Sequence, residues 1–167
     1  MEQEEREAIE QMVKRANRLA AQQQLDEAIE VLDQVLQRDP ENVGALDVLG
    51  FVRYFQGDVP GAIDACHRSL DVNPEGAYAH KGLGICLAAT GEVDEGIAEL
   101  ERAIGLRPDW ADPHHDLGVV LLNAGYTERA LPYFEKAAEL SPRMRGRLQK
   151  LVAQLRKKVV SEPPGAR

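Results

Sequence analysis

The chain has 167 residues, 44% of them apolar, 29% charged and only 5% aromatic, with a net charge of −8. That apolar fraction excludes a compositionally disordered chain, and the scarcity of aromatics leaves Leu, Val, Ile and Ala to build the core, a helical palette. The charge is uneven, with 12 Lys and Arg against 27 Asp and Glu in residues 1–142 and 8 against 1 in residues 143–167. An acidic body repels phosphate backbones and argues against a nucleic-acid partner.

The opening "MEQEEREAIEQM" is acidic and lacks the apolar run of a secretory leader. No segment approaches the roughly 20 apolar residues that would span a bilayer. Cys66 and Cys86 form no CxxC pair and suggest no disulfide framework. A soluble cytoplasmic protein is the expectation.

Four prolines, Pro40, Pro74, Pro108 and Pro142, close short polar stretches at successive spacings of 34 residues. This period divides the chain into blocks 9–42, 43–76, 77–110 and 111–144, preceded by an acidic extension of the first helix over residues 1–8. Other columns then align. Gly50, Gly84 and Gly118 share one, with Ala16 in the first block, and Leu49, Leu83 and Leu117 precede those glycines. Ala28, Ala62, Gly96 and Ala130 form a second small column, followed by Ile29, Ile63, Ile97 and Leu131. Leu32, Cys66, Leu100 and Phe134 form another apolar column, and Gly57, Gly91 and Gly125 mark a turn inside each block.

Each block reads as two helices. Block 1 is the most divergent, with Arg15 where Leu is expected and "AQQQLD" in place of the glycine turn. A terminal repeat has one face in water and tolerates such residues. In block 3, Leu83, Cys86 and Leu87 follow helical spacing, "TGEVDE" breaks it, and Ile97, Leu100, Ala103 and Ile104 resume it before Pro108. Proline lacks the N–H that would continue a helix and biases its predecessor away from helical geometry. In block 4, Asp112 reads as an N-cap with Pro113 in the first turn, and Pro132 predicts a bend or a late start of the second helix.

These columns resemble the tetratricopeptide repeat family, whose pattern is met best in block 4 by His114, Leu117-Gly118, Leu121, Ala130, Phe134 and Pro142. His114 and Leu121 are its departures. The resemblance covers residues 9–144 and implies an all-α fold, a right-handed α-solenoid of four helix-turn-helix repeats. The first helix of each repeat would line a concave groove.

After block 4, residues 145–160 carry Leu148, Leu151, Val152, Leu155 and Val159 on one helical face and basic residues around it. A helix capping the last repeat's apolar face is the expectation. Docking to a membrane surface or an acidic partner, or self-association, is the alternative use of such a helix. Residues 161–167 read as a disordered tail.

The stretch "LRPDWADPHHDLG" concentrates Trp110, His114 and His115, and invites a metal or catalytic reading. The repeat register separates the histidines. His114 falls in the column of Met12, Leu46 and His80, facing the partner helix, and His115 in the column of Val13, Asp47 and Lys81, facing the groove. Adjacent helical residues point about 100° apart and do not converge on one ion. Cys66 and Cys86 read as buried small hydrophobes. No nucleophile–base pair, P-loop or dinucleotide fingerprint is present, so neither an enzyme activity, a metal nor a cofactor is expected.

The groove is the stronger lead. From repeat 1 it would receive Asn17, and from repeat 2 Asp47, Phe51 and Tyr54 with Phe55 alongside. Repeat 3 would add Tyr78, Lys81 and Ile85, and repeat 4 His115, Val119 and Leu122 with Asn123 alongside. Trp110 would cover the start of the fourth repeat. Phe51, Ile85 and Val119 have a second reading, as packing between adjacent repeats. A branch of the family grips acidic chaperone tails with a Lys/Asn/Arg clamp. The matching positions here are Val13, Asn17, Val48, Tyr78 and Gly82, of which only Asn17 agrees. The sequence therefore points to a protein-interaction scaffold for an apolar or amphipathic segment, with or without basic residues, and away from chaperone tails.

Overall fold

Capping signals and left-handed turns set the helix boundaries. A computed structural model describes residues 2–161 and places helices at α1 (Glu2–Ala21), α2 (Leu25–Arg38), α3 (Val43–Gln56), α4 (Val59–Val72), α5 (Ala77–Thr90), α6 (Val93–Leu106), α7 (Ala111–Asn123), α8 (Thr127–Leu140) and α9 (Pro142–Ser161). The Asn42 side chain accepts from the Ala45 N–H at 2.9 Å and starts α3, and Asp58 does the same for the Gly61 N–H at 3.0 Å and starts α4. Between the helices of repeats 2, 3 and 4, Gly57, Gly91 and Gly125 hold φ of 84°, 98° and 86°. The equivalent residue of repeat 1 is Gln23, which adopts the same left-handed conformation at φ 63°. The divergent "AQQQLD" therefore makes the same turn without glycine, in a region that residues with a Cβ enter at some cost.

The helices stack as a right-handed α-solenoid of four helix pairs and a capping helix. Successive first helices touch one another, α1 on α3, α3 on α5 and α5 on α7, whereas the backbones of α2, α4, α6 and α8 have no mutual contacts. The first helices therefore form the inner, concave wall. Small residues let the pairs close up: a Cβ built on Gly84 would lie 2.8 Å from the Gly96 carbonyl oxygen, and one on Gly118 would lie 2.8 Å from the Phe134 ring. The buried apolar residues gather in two clusters, one around Leu32, Val35 and Leu49 and one around Leu100, Leu117, Phe134 and Leu148. Ala62, Cys66, Ala79, Leu83 and Cys86, buried on α4 and α5, belong to neither.

The backbone of the last helix packs against α8 and no other helix. Leu148, Val152 and Leu155 are buried there with Phe134, Ala137 and Ala138 of α8, while Leu151 and Val159 are half-buried. It begins at Pro142, earlier than residue 145, because proline suits the first helical position, where its missing N–H has no intrahelical role. Ser161 still belongs to α9, and the rest of the expected tail lies outside the described residues.

Two local expectations change. The N-cap of α7 is Trp110, and Asp112 sits in the first turn, where its carboxylate accepts from the Trp110 indole N–H at 3.2 Å and complements the positive helix end. Pro132 causes no late start, since α8 begins at Thr127 and runs through it. The bond it forfeits would reach the carbonyl of Glu128, an exposed residue of the first turn, where a carbonyl can bond to solvent instead.

Candidate functional site: the concave groove

Ridges of α3, α5 and α7 enclose a concave cavity of about 580 Å³. Asp47, Phe51, Tyr54 and Phe55 enter it from α3, Tyr78, Lys81 and Ile85 from α5, and His115, Val119 and Asn123 from α7. Helical periodicity explains this grouping, because residues three or four apart share one face. Two expected members are elsewhere. Asn17 is exposed on α1, beyond the cavity, and Leu122 is half-buried and packed into the second core cluster. A register that assigns one stripe per helix does not know where the groove narrows or which stripe residue the neighbouring repeat covers.

Sequence reasoning missed the floor. Gly82 lies where the other repeats carry Lys14, Val48 and Asp116, and Cys66 fills the space, its Sγ 2.9 Å from where a Gly82 Cβ would be. Cys66 and Cys86 both line the cavity from below, along with Gly50 and Val120. The signal was present in the bare glycine of one column, although a single glycine carries little weight in a sequence.

Aromatic rings form the walls. Phe51, Phe55 and Tyr78 are 44%, 53% and 55% exposed, so these large apolar groups are not consumed by packing between repeats. Phe51 and Phe55 rings lie 4.6 Å apart, and Tyr54 meets Phe55 edge-on at 5.5 Å. On the other side Tyr78 packs at a tilt against Trp110, ring centroids 4.4 Å apart, with the Arg107 guanidinium 4.8 Å from the Trp110 ring. Trp110 is thereby held by Tyr78, Arg107 and Asp112. Ile85 is half-buried against the second core cluster and Val119 is 36% exposed, so Ile85 leans toward packing and Val119 toward the groove.

A polar relay crosses the repeat 3–4 end. Lys81 Nζ lies 3.2 Å from Asp116 Oδ2, and His115 Nδ1 lies 3.1 Å from Asp116 Oδ1. Arg147, reaching in from α9, donates to His115 Nε2 at 3.4 Å. Arginine only donates, so Nε2 is the acceptor and the ring proton sits on Nδ1, pointing at Asp116. His114 is buried and its Nε2 lies 3.0 Å from the Pro108 carbonyl. His80, one repeat earlier, makes the same 3.0 Å contact to the Pro74 carbonyl and adds a 2.5 Å contact to Glu99. The two adjacent histidines are thus divided, one tying a helix start to the preceding loop and one facing the groove.

Neither thiol is activated. Burial, with lesser repulsion from Cys86 and Asp47, pushes Cys66 up to about 12, and burial pushes Cys86 up to about 11. A free thiol titrates near 8.5 and reacts as the thiolate. At pH 8, labelling of the folded chain by a thiol reagent is therefore expected to be at least roughly tenfold slower than in denaturant, and to speed up as pH rises toward 11. Equal rates with and without denaturant would contradict the burial of both groups.

Three tetratricopeptide repeat family models match the chain, over residues 9–52, 48–113 and 111–144. No curated protein matches it. Among solved structures, pilF of Pseudomonas aeruginosa superposes with a TM-score of 0.80 at 22% identity, over 91% of this chain and 69% of that one. A thermophilic TPR protein of Thermus thermophilus gives 0.77 at 18% identity, over 95% and 93%. MamA protein gives 0.65 at 24% identity, over 93% and 91%. At these identities the likenesses establish the fold alone, and the repeat matches carry the assignment. Period, helix pairing and the matched stretches together place this chain in the tetratricopeptide repeat family.

Proposed function

We propose that the chain is a non-catalytic scaffold that takes up an apolar or amphipathic polypeptide segment in the concave groove of repeats 2 to 4. Repeats of this family mediate protein–protein interaction. The observation that carries the finer reading is the set of rings, Phe51, Phe55 and Tyr78, left half-exposed around a concavity of about 580 Å³. Exposed apolar surface rimmed by polar groups marks interaction sites, and aromatic side chains dominate their energetics. Asp47, Lys81, His115 and Asn123 would set the register of the bound segment. Docking through the basic α9 has less support, because Leu148, Val152 and Leu155 are already spent on α8.

The test is affinity capture with the wild-type chain and the Phe51→Ala/Tyr54→Ala double variant, followed by mass spectrometry and titration of a recovered partner. Each truncation should weaken binding by about 1–2 kcal/mol, roughly 5- to 30-fold. Unchanged affinity in a double variant with wild-type circular dichroism would sink the groove as the binding surface.

A further inference from the structure

The charged groups bordering the groove divide into those with charged or polar partners across it and one that stands apart. Lys81 is engaged by Asp116, Asp116 is shared with His115, and Arg147 is directed at His115. Asp47 has a single partner, the Ser69 hydroxyl, which donates to Oδ1 at 2.7 Å. Among the described residues no cation pairs with it. Ser69 is fully buried and fixes the carboxylate in place without neutralising it, leaving Oδ2 without a hydrogen bond on a residue that lines the groove. Phe51 and Tyr54 follow one and two turns later on the same face of α3, and Tyr78 lines the same cavity from α5.

A carboxylate drawn partly out of water without a counter-charge is costly, and the cost is relieved when a ligand supplies the cation. Burial indeed raises the Asp47 pKa from its ordinary value, with the Ser69 hydrogen bond pulling the other way. Ring faces beside a carboxylate give a guanidinium or ammonium both a counter-ion and a quadrupole to rest on. Lys81 does not fill this place, being held at Asp116 and lying 5.7 Å from the Trp110 ring centroid.

We infer that Asp47 is the receptor for one basic side chain of the bound segment. The Arg or Lys head meets Asp47 Oδ2, while its methylenes and the neighbouring apolar residues lie on Phe51, Tyr54 and Tyr78. This inference rests on the groove reading proposed above and narrows its occupant to an amphipathic segment with a basic residue beside aliphatic or aromatic anchors. The acidic body, net −15 over residues 1–142, favours the approach of such a segment.

The probe is a displayed library of random twelve-residue peptides, panned on the full chain as wild type, as Asp47→Asn and as Phe51→Ala/Phe55→Ala. Wild type should enrich peptides that combine one basic residue with apolar anchors, and Asp47→Asn should keep the anchors and lose the basic preference. A recovered peptide is then made with its basic residue replaced by Gln. That change should weaken binding about tenfold on wild type and less than about twofold on Asp47→Asn. Asp47→Ala, which also removes the charge, should give the same small loss and serves if Asp47→Asn fails to fold. An equal loss on wild type and on either Asp47 variant, or apolar peptides without a basic residue, overturns the assignment of Asp47 and leaves the groove reading standing. Peptides that bind the Phe51/Phe55 variant as well as wild type overturn both.

Discussion

Gly84→Ala is expected to destabilise the chain by about 2 kcal/mol or more, while Gly105→Ala stabilises it by about 0.5–1 kcal/mol. The two substitutions add the same methyl group to the same kind of backbone, since Gly84 lies in α5 and Gly105 in α6. In an open helix interior the methyl group is favourable, because glycine has more conformational freedom to lose on folding. Gly105, exposed in the last turn of α6, has nothing within 4 Å of an added Cβ. At Gly84 the Cβ would lie 2.8 Å from the Gly96 carbonyl oxygen, 3.1 Å from the Leu100 nitrogen and 2.8 Å from Leu100 Cγ. Two of those atoms are backbone, so the strain is relieved only by moving α6 away from α5. Overpacking of this kind costs typically 1–3 kcal/mol, sometimes more, and outweighs the propensity gain of about 1 kcal/mol. Urea denaturation of both variants beside wild type measures the difference. Gly84→Ala as stable as Gly105→Ala would contradict the helix spacing of repeat 3.

The same pair of glycines shows how much of the fold the sequence carries. Columns 34 residues apart mark Gly84 and Gly96 as small positions on the two helices of one repeat before any coordinates exist, and repeat 3 alone has glycine at both. Periodicity is a global signal and survives local exceptions such as Arg15 or the turn at Gln23. Cap identity is a local signal settled by single backbone angles, and there the sequence misled: Asp112 looks like an N-cap, yet the turn begins at Trp110. Pro132 misled in the opposite direction, because the cost of a missing N–H depends on whether water reaches the orphaned carbonyl, which spacing does not reveal. At the groove, helical period identifies the wall residues Phe51, Tyr54 and Tyr78. The floor of Cys66, Gly82 and Cys86 depends on how far α4 stands from α5, a distance absent from any single stretch. The contact between Arg147 and His115 spans 32 residues and joins a helix read as a cap to a groove residue. No local pattern announces it.

Removing residues 142–167 is expected to cost about 5 kcal/mol or more, the largest change anticipated for this chain. Burying one Leu or Val side chain is worth roughly 1.5–3 kcal/mol, and α9 buries Leu148, Val152 and Leu155. Its loss also uncovers the α8 face that includes Phe134, Ala137 and Ala138. Repeat arrays draw stability from nearest-neighbour interfaces, so an uncapped last repeat frays first and weakens the one beside it. Against a typical total of 5–15 kcal/mol, such a loss leaves α7 and α8 marginal or unfolded. The competing use of α9, as a docking element, depends on its charges instead. Arg143, Lys150 and Lys157 are exposed, and changing all three to Gln should alter stability by no more than about 0.5 kcal/mol each. Thermal melts of the truncated and triple-Gln chains separate the two roles of the helix, and sedimentation together with flotation on phosphatidylserine vesicles reads out docking. A cap predicts an early, broadened melt for the truncation, an unchanged melt for the triple variant, and no difference in sedimentation or flotation between the triple variant and wild type. A truncated chain that melts with wild type would remove the capping role. A wild-type chain that floats or self-associates, and ceases to do so with the three charges removed, would give the helix a second one.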